Sequence, residues 1–178
     1  MTDKLTQDEI IAAVRTASRD VFATMLNLPL ESGAAHEETD EPESVDGVIS
    51  MVGIGGSWTG TGRIWCAPKF ACRMAEALLM APYESVNDDV LDAMAEIGNM
   101  IIGNVKNIVE EKLGPLGLSL PTVIYGRNYR TRSAGVPSWT VIPFQSGGDQ
   151  MEVSFCLIRS RSTPQPSRVE TPQLPAVA

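Results

Sequence analysis

The stretch from Asn87 to Leu113 is the feature that most restricts how this chain of 178 residues can fold. At about 100° per residue, its large apolar side chains fall on one side of a helix. That apolar stripe contains Val90, Met94, Ile97, Ile101, Val105 and Ile108. We therefore predict one long helix that ends at Gly114-Pro115 and buries this stripe against the rest of the fold.

The remaining periodic segments predict the other elements. Helical spacing indicates a first helix over Gln7–Leu28, with Thr6 and Glu9 as a capping box, and a second over Pro68–Ala81. Apolar runs predict strands over Val48–Gly56, Thr59–Ala67, Leu118–Gly126, Ser138–Gln145 and Gln150–Ser160. Short turns join successive strands, so the predicted fold class is α+β: a largely antiparallel sheet with helices packed on it, in the order α-β-β-α-α-β-β-β.

Two segments lack the composition of a packed core. Residues 31–46 carry seven carboxylates and the only histidine, His36, which predicts a solvated acidic loop rather than a metal site. Residues 161–178 are rich in Pro and Ser, which predicts a disordered tail. We therefore expect one domain over residues 1–160 followed by the tail.

Charge and cysteine content exclude several classes of function. The net charge of −8 and the pI of about 4.6 predict no nucleic-acid partner and no binding to an anionic membrane. Three cysteines without regular spacing indicate buried free thiols. The polar N-terminus and the lack of a long apolar run predict a cytoplasmic protein.

The glycines between residues 53 and 62 leave two interpretations, a phosphate-cradling loop or a hairpin turn. Neither a GK[ST] sequence nor a GxGxxG sequence that opens a helix is present, so we prefer the hairpin.

The face of the long helix opposite its apolar stripe is polar. It contains Asp92, Glu96, Asn99, Gly103 and Lys106. Glu96 and Asn99 lie three positions apart, so their side chains are neighbours on the surface. Such a pair is common on exposed helices, and spacing alone does not predict a site. Gly98 and Gly103 each cost the helix about 1 kcal/mol relative to alanine, which suggests close approach of another backbone.

Four residues in and after this helix form a recognisable pattern: Asp92, Glu96, Asn99 and, further downstream, Pro121. With the flanking segments NDDVLDAMAEIGNMIIGNVKNIVEEK and LSLPTVIYG, this pattern resembles the CheC/CheX/FliY family of chemotaxis phosphatases. The segment DVFATMLNL in the first helix is similar to the CheX N-terminal helix, and the resemblance covers roughly residues 10–158. Neither of the other two helices carries a second Glu-x-x-Asn, which indicates the CheX branch.

The resemblance implies both an activity and a role for each residue. The activity is hydrolysis of the aspartyl phosphate of a phosphorylated CheY-like response regulator, in chemotaxis or related two-component signalling. Asn99 would orient the attacking water, and Glu96 would pair with the regulator's active-site lysine. Asp92 and Gly103 would contact the partner. The resemblance also implies a homodimer with one site per chain and no metal or cofactor of its own, with Mg²⁺ on the regulator.

Two other functions fit the same fold. The chain could be a non-catalytic domain that binds a response regulator or serves as a scaffold, or a purely structural dimeric domain. The intact pair of Glu96 and Asn99 favours the phosphatase, because we expect a degenerate member to lose Asn99.

Overall fold

The computed structural model describes residues 5–39, 45–129 and 138–160, and its elements have the following bounds. The helices are α1 (Gln7–Val21), α2 (Pro68–Leu79) and α3 (Asp88–Leu113). The strands are β1 (Glu31–Ser32), β2 (His36–Glu38), β3 (Val45–Gly56), β4 (Trp58–Cys66), β5 (Leu116–Leu118), β6 (Thr122–Tyr129), β7 (Trp139–Ser146) and β8 (Asp149–Arg159).

The strands form one sheet in the order β1-β7-β8-β4-β3-β5, with β2 also paired to β7 and β6 also paired to β3. Every pairing is antiparallel. The hairpin β3–β4 accounts for the cluster of glycines between residues 53 and 62. The predicted fold class, α+β with an antiparallel sheet, is confirmed.

α1 begins as its sequence predicts and ends earlier. Thr6 and Glu9 form the reciprocal capping box, each side chain bonded to the other's backbone N–H. After Val21 the helix widens into a π-helical turn over Phe22–Leu26, and Asn27 ends it with a φ of 50°. The predicted helix ran to Leu28; the wider turn buries both Phe22 and Leu26 and stops the helix before Pro29.

Close packing between α3 and the sheet explains one of the two helix glycines. A Cβ at Gly98 would lie 2.2 Å from Ser50 Oγ on β3. On β4, a Cβ at Gly62 would lie 2.3 Å from Cδ1 of Ile102. The layers therefore approach closely at both points, although each glycine faces a side chain rather than a backbone. At Gly103 the nearest atom to such a Cβ is 3.7 Å away, an ordinary contact.

The buried stripe of α3 differs from the predicted one at its C-terminal end. Val109 is buried there, whereas Ile108 is 39% exposed. Ile108 lines an open groove of about 400 Å³ between α1 and α3. The α1 side chains that face it include Ala12 and Ala13, which are too small to cover it. The inclusion of Ile108 in the buried stripe was therefore wrong.

Two short strands lie within the segment predicted to be a solvated loop. β1 and β2 both pair with β7. Arg63 on β4 lies 3.3 Å from the carboxylate of Glu38 in β2. A ladder uses only backbone groups, so an acidic segment can join it while its carboxylates face solvent, as that of Glu37 does, or meet a cation. The loop prediction was wrong for residues 31–32 and 36–38.

The predicted strand over Leu118–Gly126 is two strands, β5 and β6, separated by Ser119–Pro121. Pro121 has no N–H to donate to a ladder, which favours a break at this point. The predicted tail, residues 161–178, lies outside the described residues. None of the helices in the described part of the chain has the length and apolarity to cross a bilayer.

The three cysteines are free and buried, as predicted. Burial raises the pKa of the thiols of Cys66, Cys72 and Cys156, which keeps them protonated at neutral pH.

Candidate functional site

α3 holds the candidate residues on a long, well-anchored support. The side chain of Asn87 caps its N-terminus by accepting a hydrogen bond of 3.0 Å from the N–H of Val90. Asp88 and Asp89 in the first turn stabilise the positive end of the helix dipole. The buried stripe fixes the rotation of the helix about its axis, so the opposite face has a defined orientation.

The predicted site residues share the outer face of α3. Asp92 and Glu96 are exposed, while Asn99 and Gly103 are partly buried. Glu96 precedes Asn99 by three positions, which places their side chains next to each other on the helix surface. The structure thus brings the four predicted residues onto one stripe, which we call the α3 polar stripe: Asp92, Glu96, Asn99 and Gly103.

The carboxylates of this stripe differ from that of Glu110, which lies further along α3. Among the described residues, neither Asp92 nor Glu96 takes part in an ion pair. Glu110, by contrast, lies 2.7 Å from Lys106 Nζ and accepts a 2.6 Å hydrogen bond from the N–H of Leu116. Lys106 first, and then that N–H, lower the pKa of Glu110. Glu96 is therefore available to a cation from another molecule, whereas Glu110 ties α3 to β5.

The loop that contains Pro121 lies beside the α3 polar stripe. Leu118, just before the loop, lies 3.7 Å from the position of a Cβ at Gly103. Ser119 fixes the loop to the edge of β3: its N–H donates to the carbonyl of Gly53 (2.9 Å), and its Oγ accepts from the N–H of Gly53 (2.9 Å). The β5–β6 loop therefore starts close to Gly103, at the C-terminal end of the α3 polar stripe.

Sequence reasoning missed the residues that hold this loop, Ser119, Gly53 and Glu110. Ser119 and Gly53 are 66 positions apart, and only the sheet brings them together. A signal was present at Leu120, a large apolar residue between a serine and a proline, where a surface loop is expected to be polar.

The chemistry that this surface offers is limited to a carboxylate and a carboxamide. Carboxylates accept hydrogen bonds and pair with cations, and a carboxamide both donates and accepts. In residues 5–39, 45–129 and 138–160, no cluster of three or more His, Cys, Asp or Glu side chains is placed to hold a metal ion. Glu96 and Asn99 lie on a convex helix face, which suits action on a group that another protein presents.

The antiparallel sheet with α3 packed on it, and the pair of Glu96 and Asn99 on the outer face of that helix, agree with the CheC/CheX class that the sequence pattern predicted. The family described as "Chemotaxis phosphatase CheX" matches residues 48–145, more than half of the 178 residues. The chain belongs to this family, as the sequence pattern predicted.

Individual relatives agree with this assignment. The chain is 26% identical over 128 residues to the "CheY-P phosphatase CheX" of Thermotoga maritima, covering 71% of this chain and 79% of the relative. A CheC-like superfamily protein from Shewanella sp. PV-4 superposes with a TM-score of 0.75 at 21% identity, over 87% of this chain and 99% of the other. A chain from the Borrelia burgdorferi CheX-CheY-BeF3-Mg²⁺ complex superposes with a TM-score of 0.71 at 26% identity, over 83% and 97%.

Proposed function

We propose that this chain hydrolyses the aspartyl phosphate of a phosphorylated CheY-like response regulator, in chemotaxis or a related two-component pathway. The observation that carries the proposal is the neighbouring placement of Glu96 and Asn99 on the outer face of α3, in a member of the CheX family. The name of the Thermotoga relative supports this substrate, and the Borrelia complex supports a CheY-like partner.

Asn99 is the proposed catalytic residue. Phosphoryl transfer to water requires mainly positioning and electrostatic stabilisation. A carboxamide can accept a hydrogen bond from a water molecule and donate one to it or to a phosphoryl oxygen. Holding that water in line with phosphorus converts an encounter with solvent into an attack within the complex. Asn99 is partly buried in its helix turn, so the packing of α3 restricts its position.

Glu96 is the proposed docking residue. It is exposed and unpaired among the described residues, and it lies one helical turn from Asn99. An ion pair with the regulator's active-site lysine would place Asn99 over the phosphoryl group. Asp92 would add a polar contact one turn earlier, and Gly103, which has no side chain, would allow the partner to approach the helix closely.

The proposed mechanism gives this chain no metal of its own. The Borrelia complex contains CheY, BeF3 and Mg²⁺. We therefore assign the Mg²⁺ to the regulator, where it would neutralise the phosphoryl oxygens while Asn99 directs the water. A cytoplasmic location and a homodimer with one site per chain belong to the same proposal.

The test is release of inorganic phosphate from a regulator labelled with acetyl phosphate. Wild-type protein should accelerate release above the regulator's own hydrolysis, and Asn99→Ala should abolish that acceleration while still binding the regulator. Asn99 lies on the polar face of α3 and alanine is the better helix former, so Asn99→Ala should alter the free energy of unfolding by only about 0.5 kcal/mol, and thermal melts serve as the folding control. Full activity in a folded Asn99→Ala protein would exclude Asn99 from the mechanism. Binding without any acceleration by the wild type would favour a non-catalytic binding domain.

A further inference from the structure

Leu120 is a large apolar side chain that the fold presents to solvent. Its exposed fraction is 88%. A single exposed leucine is common on soluble proteins and does not by itself indicate a contact surface. Its place in the fold makes this one informative, because it projects from the loop beside the α3 polar stripe.

The loop around Leu120 is held in place on both sides. Leu118 pairs with Ile54 and Thr122 pairs with Met51, so both ends of the loop are fixed to β3. Between them, the Oγ of Ser119 donates to the carbonyl of Leu120 at 2.8 Å, in addition to its two hydrogen bonds with Gly53. Pro121 further restricts the backbone. Little conformational entropy of the backbone would remain to be lost if Leu120 became buried on binding.

The position of the loop makes it continuous with the proposed docking surface. The Cδ1 atom of Leu118 lies 3.7 Å from the position that a Cβ at Gly103 would occupy. Gly103 follows Asn99 by one turn on the same stripe, about 6 Å along the helix axis. A partner that covers Asn99 and approaches Gly103 closely therefore reaches the β5–β6 loop at the side of the helix.

We propose that Leu120 is an apolar docking residue for the phosphorylated response regulator, and that it sets affinity rather than the rate of hydrolysis; this rests on the function proposed above. Glu96 supplies the charged contact and Leu120 the apolar one. Removing the exposed Leu120 side chain from water on binding is favourable in proportion to the apolar area that becomes buried. The matching surface on the regulator is an aliphatic or aromatic patch next to its phosphorylation site.

The experiment compares Leu120→Ala with Met80→Ala as a matched control. Met80 is 93% exposed at the end of α2 and belongs to neither the α3 polar stripe nor the β5–β6 loop. The probe is a CheY-like regulator activated with beryllofluoride and Mg²⁺ for binding, and the acetyl-phosphate-labelled form for turnover. Leu120→Ala should raise both Kd and KM about tenfold, a loss of about 1.4 kcal/mol, with kcat within twofold of wild type. Met80→Ala should leave Kd, KM and kcat unchanged, and both variants should melt like the wild type.

The outcomes separate this inference from the proposed function. Wild-type affinity in Leu120→Ala, with Asn99→Ala still inactive, would overturn the docking role and leave the phosphatase standing. A lower kcat with an unchanged Kd would also overturn it, because it would place Leu120 in the chemical step. If the wild type accelerates no hydrolysis but binds the activated regulator in a Leu120-dependent way, the phosphatase proposal fails and the docking role survives.

Discussion

Replacing Gly98 and Gly103 with alanine, one at a time, tests the packing of α3 against the sheet. The two substitutions are chemically identical and lie five positions apart in one helix. Alanine favours a helix over glycine by about 1 kcal/mol at either position. At Gly103 the new methyl group meets nothing closer than 3.7 Å, so we expect Gly103→Ala to raise the free energy of unfolding by about 0.5–1 kcal/mol.

At Gly98 the same methyl group collides with Ser50. It would lie 2.2 Å from Ser50 Oγ and 2.9 Å from Ser50 Cβ. Rotation about χ1 of Ser50 can move its hydroxyl but not its Cβ, so α3 must shift by about half an ångström. The close packing of Ile102 against Gly62 resists that shift. Overpacking costs about 1–3 kcal/mol. We take the upper part of that range and subtract the gain in helix propensity of about 1 kcal/mol. Gly98→Ala should therefore lower the free energy of unfolding by about 2 kcal/mol.

The assay is urea unfolding followed by far-UV circular dichroism, with midpoints compared at constant m-value. Ser50→Ala should partly rescue Gly98→Ala. It removes the Ser50 hydroxyl, which is buried and has no hydrogen-bond partner among the described residues, and leaves the Cβ. Equal stability of Gly98→Ala and wild type, or the same sign of change at Gly98 and Gly103, would refute the packing argument. Because Gly103 also belongs to the proposed docking face, Gly103→Ala should be the more stable protein and the weaker binder.

Three further predictions follow from the structure. Glu96→Ala should weaken binding of the activated regulator by about 2–5 kcal/mol, and part of that loss would come from leaving the regulator's lysine unpaired. Titration calorimetry measures the affinity, and a wild-type value would exclude the docking role. The pKa of Glu110 is lowered, so its contribution to stability is fully present above the ordinary glutamate pKa of 4.5 and is lost as the pH falls below that value and through the lowered pKa of the folded protein. Glu110→Gln should therefore be less stable than wild type at neutral pH, with the difference shrinking in acid, and a constant difference would contradict this. A homodimer should sediment at twice the chain mass at micromolar concentration, whereas a monomer at all concentrations would exclude it.

The sequence predicted those parts of the fold that local pattern determines. The apolar stripe of α3 from Val90 to Val105, the capping box at Thr6 and Glu9 and the antiparallel sheet are confirmed. Each depends on residues within a few positions of one another or on short turns. The family was also predictable, because Glu96, Asn99 and Pro121 and their flanking segments lie in one continuous region.

The features of the fold and the site that the sequence did not predict depend on contacts between distant segments. β1 and β2 form because β7, more than a hundred positions later, offers an edge, and their acidic composition gives no sign of it. Ile108 is exposed in an open groove between α1 and α3, whose α1 side includes Ala12 and Ala13. The loop at Ser119 is held by β3. The sequence placed Glu96 on the surface but could not predict that it has no ion-pair partner among the described residues, because that depends on where the basic side chains lie in space.

The convex placement of Glu96 and Asn99 has a consequence for inhibition. An enzyme with a cleft can be blocked by a small substrate mimic that fills the cleft, whereas a helix ridge encloses nothing. The regulator would supply the groups that enclose the phosphoryl group and the attacking water, and this enclosure would exist only in the complex. A competitive inhibitor would therefore have to imitate a protein surface, and selectivity among response regulators would be decided by shape and charge well away from the phosphate itself.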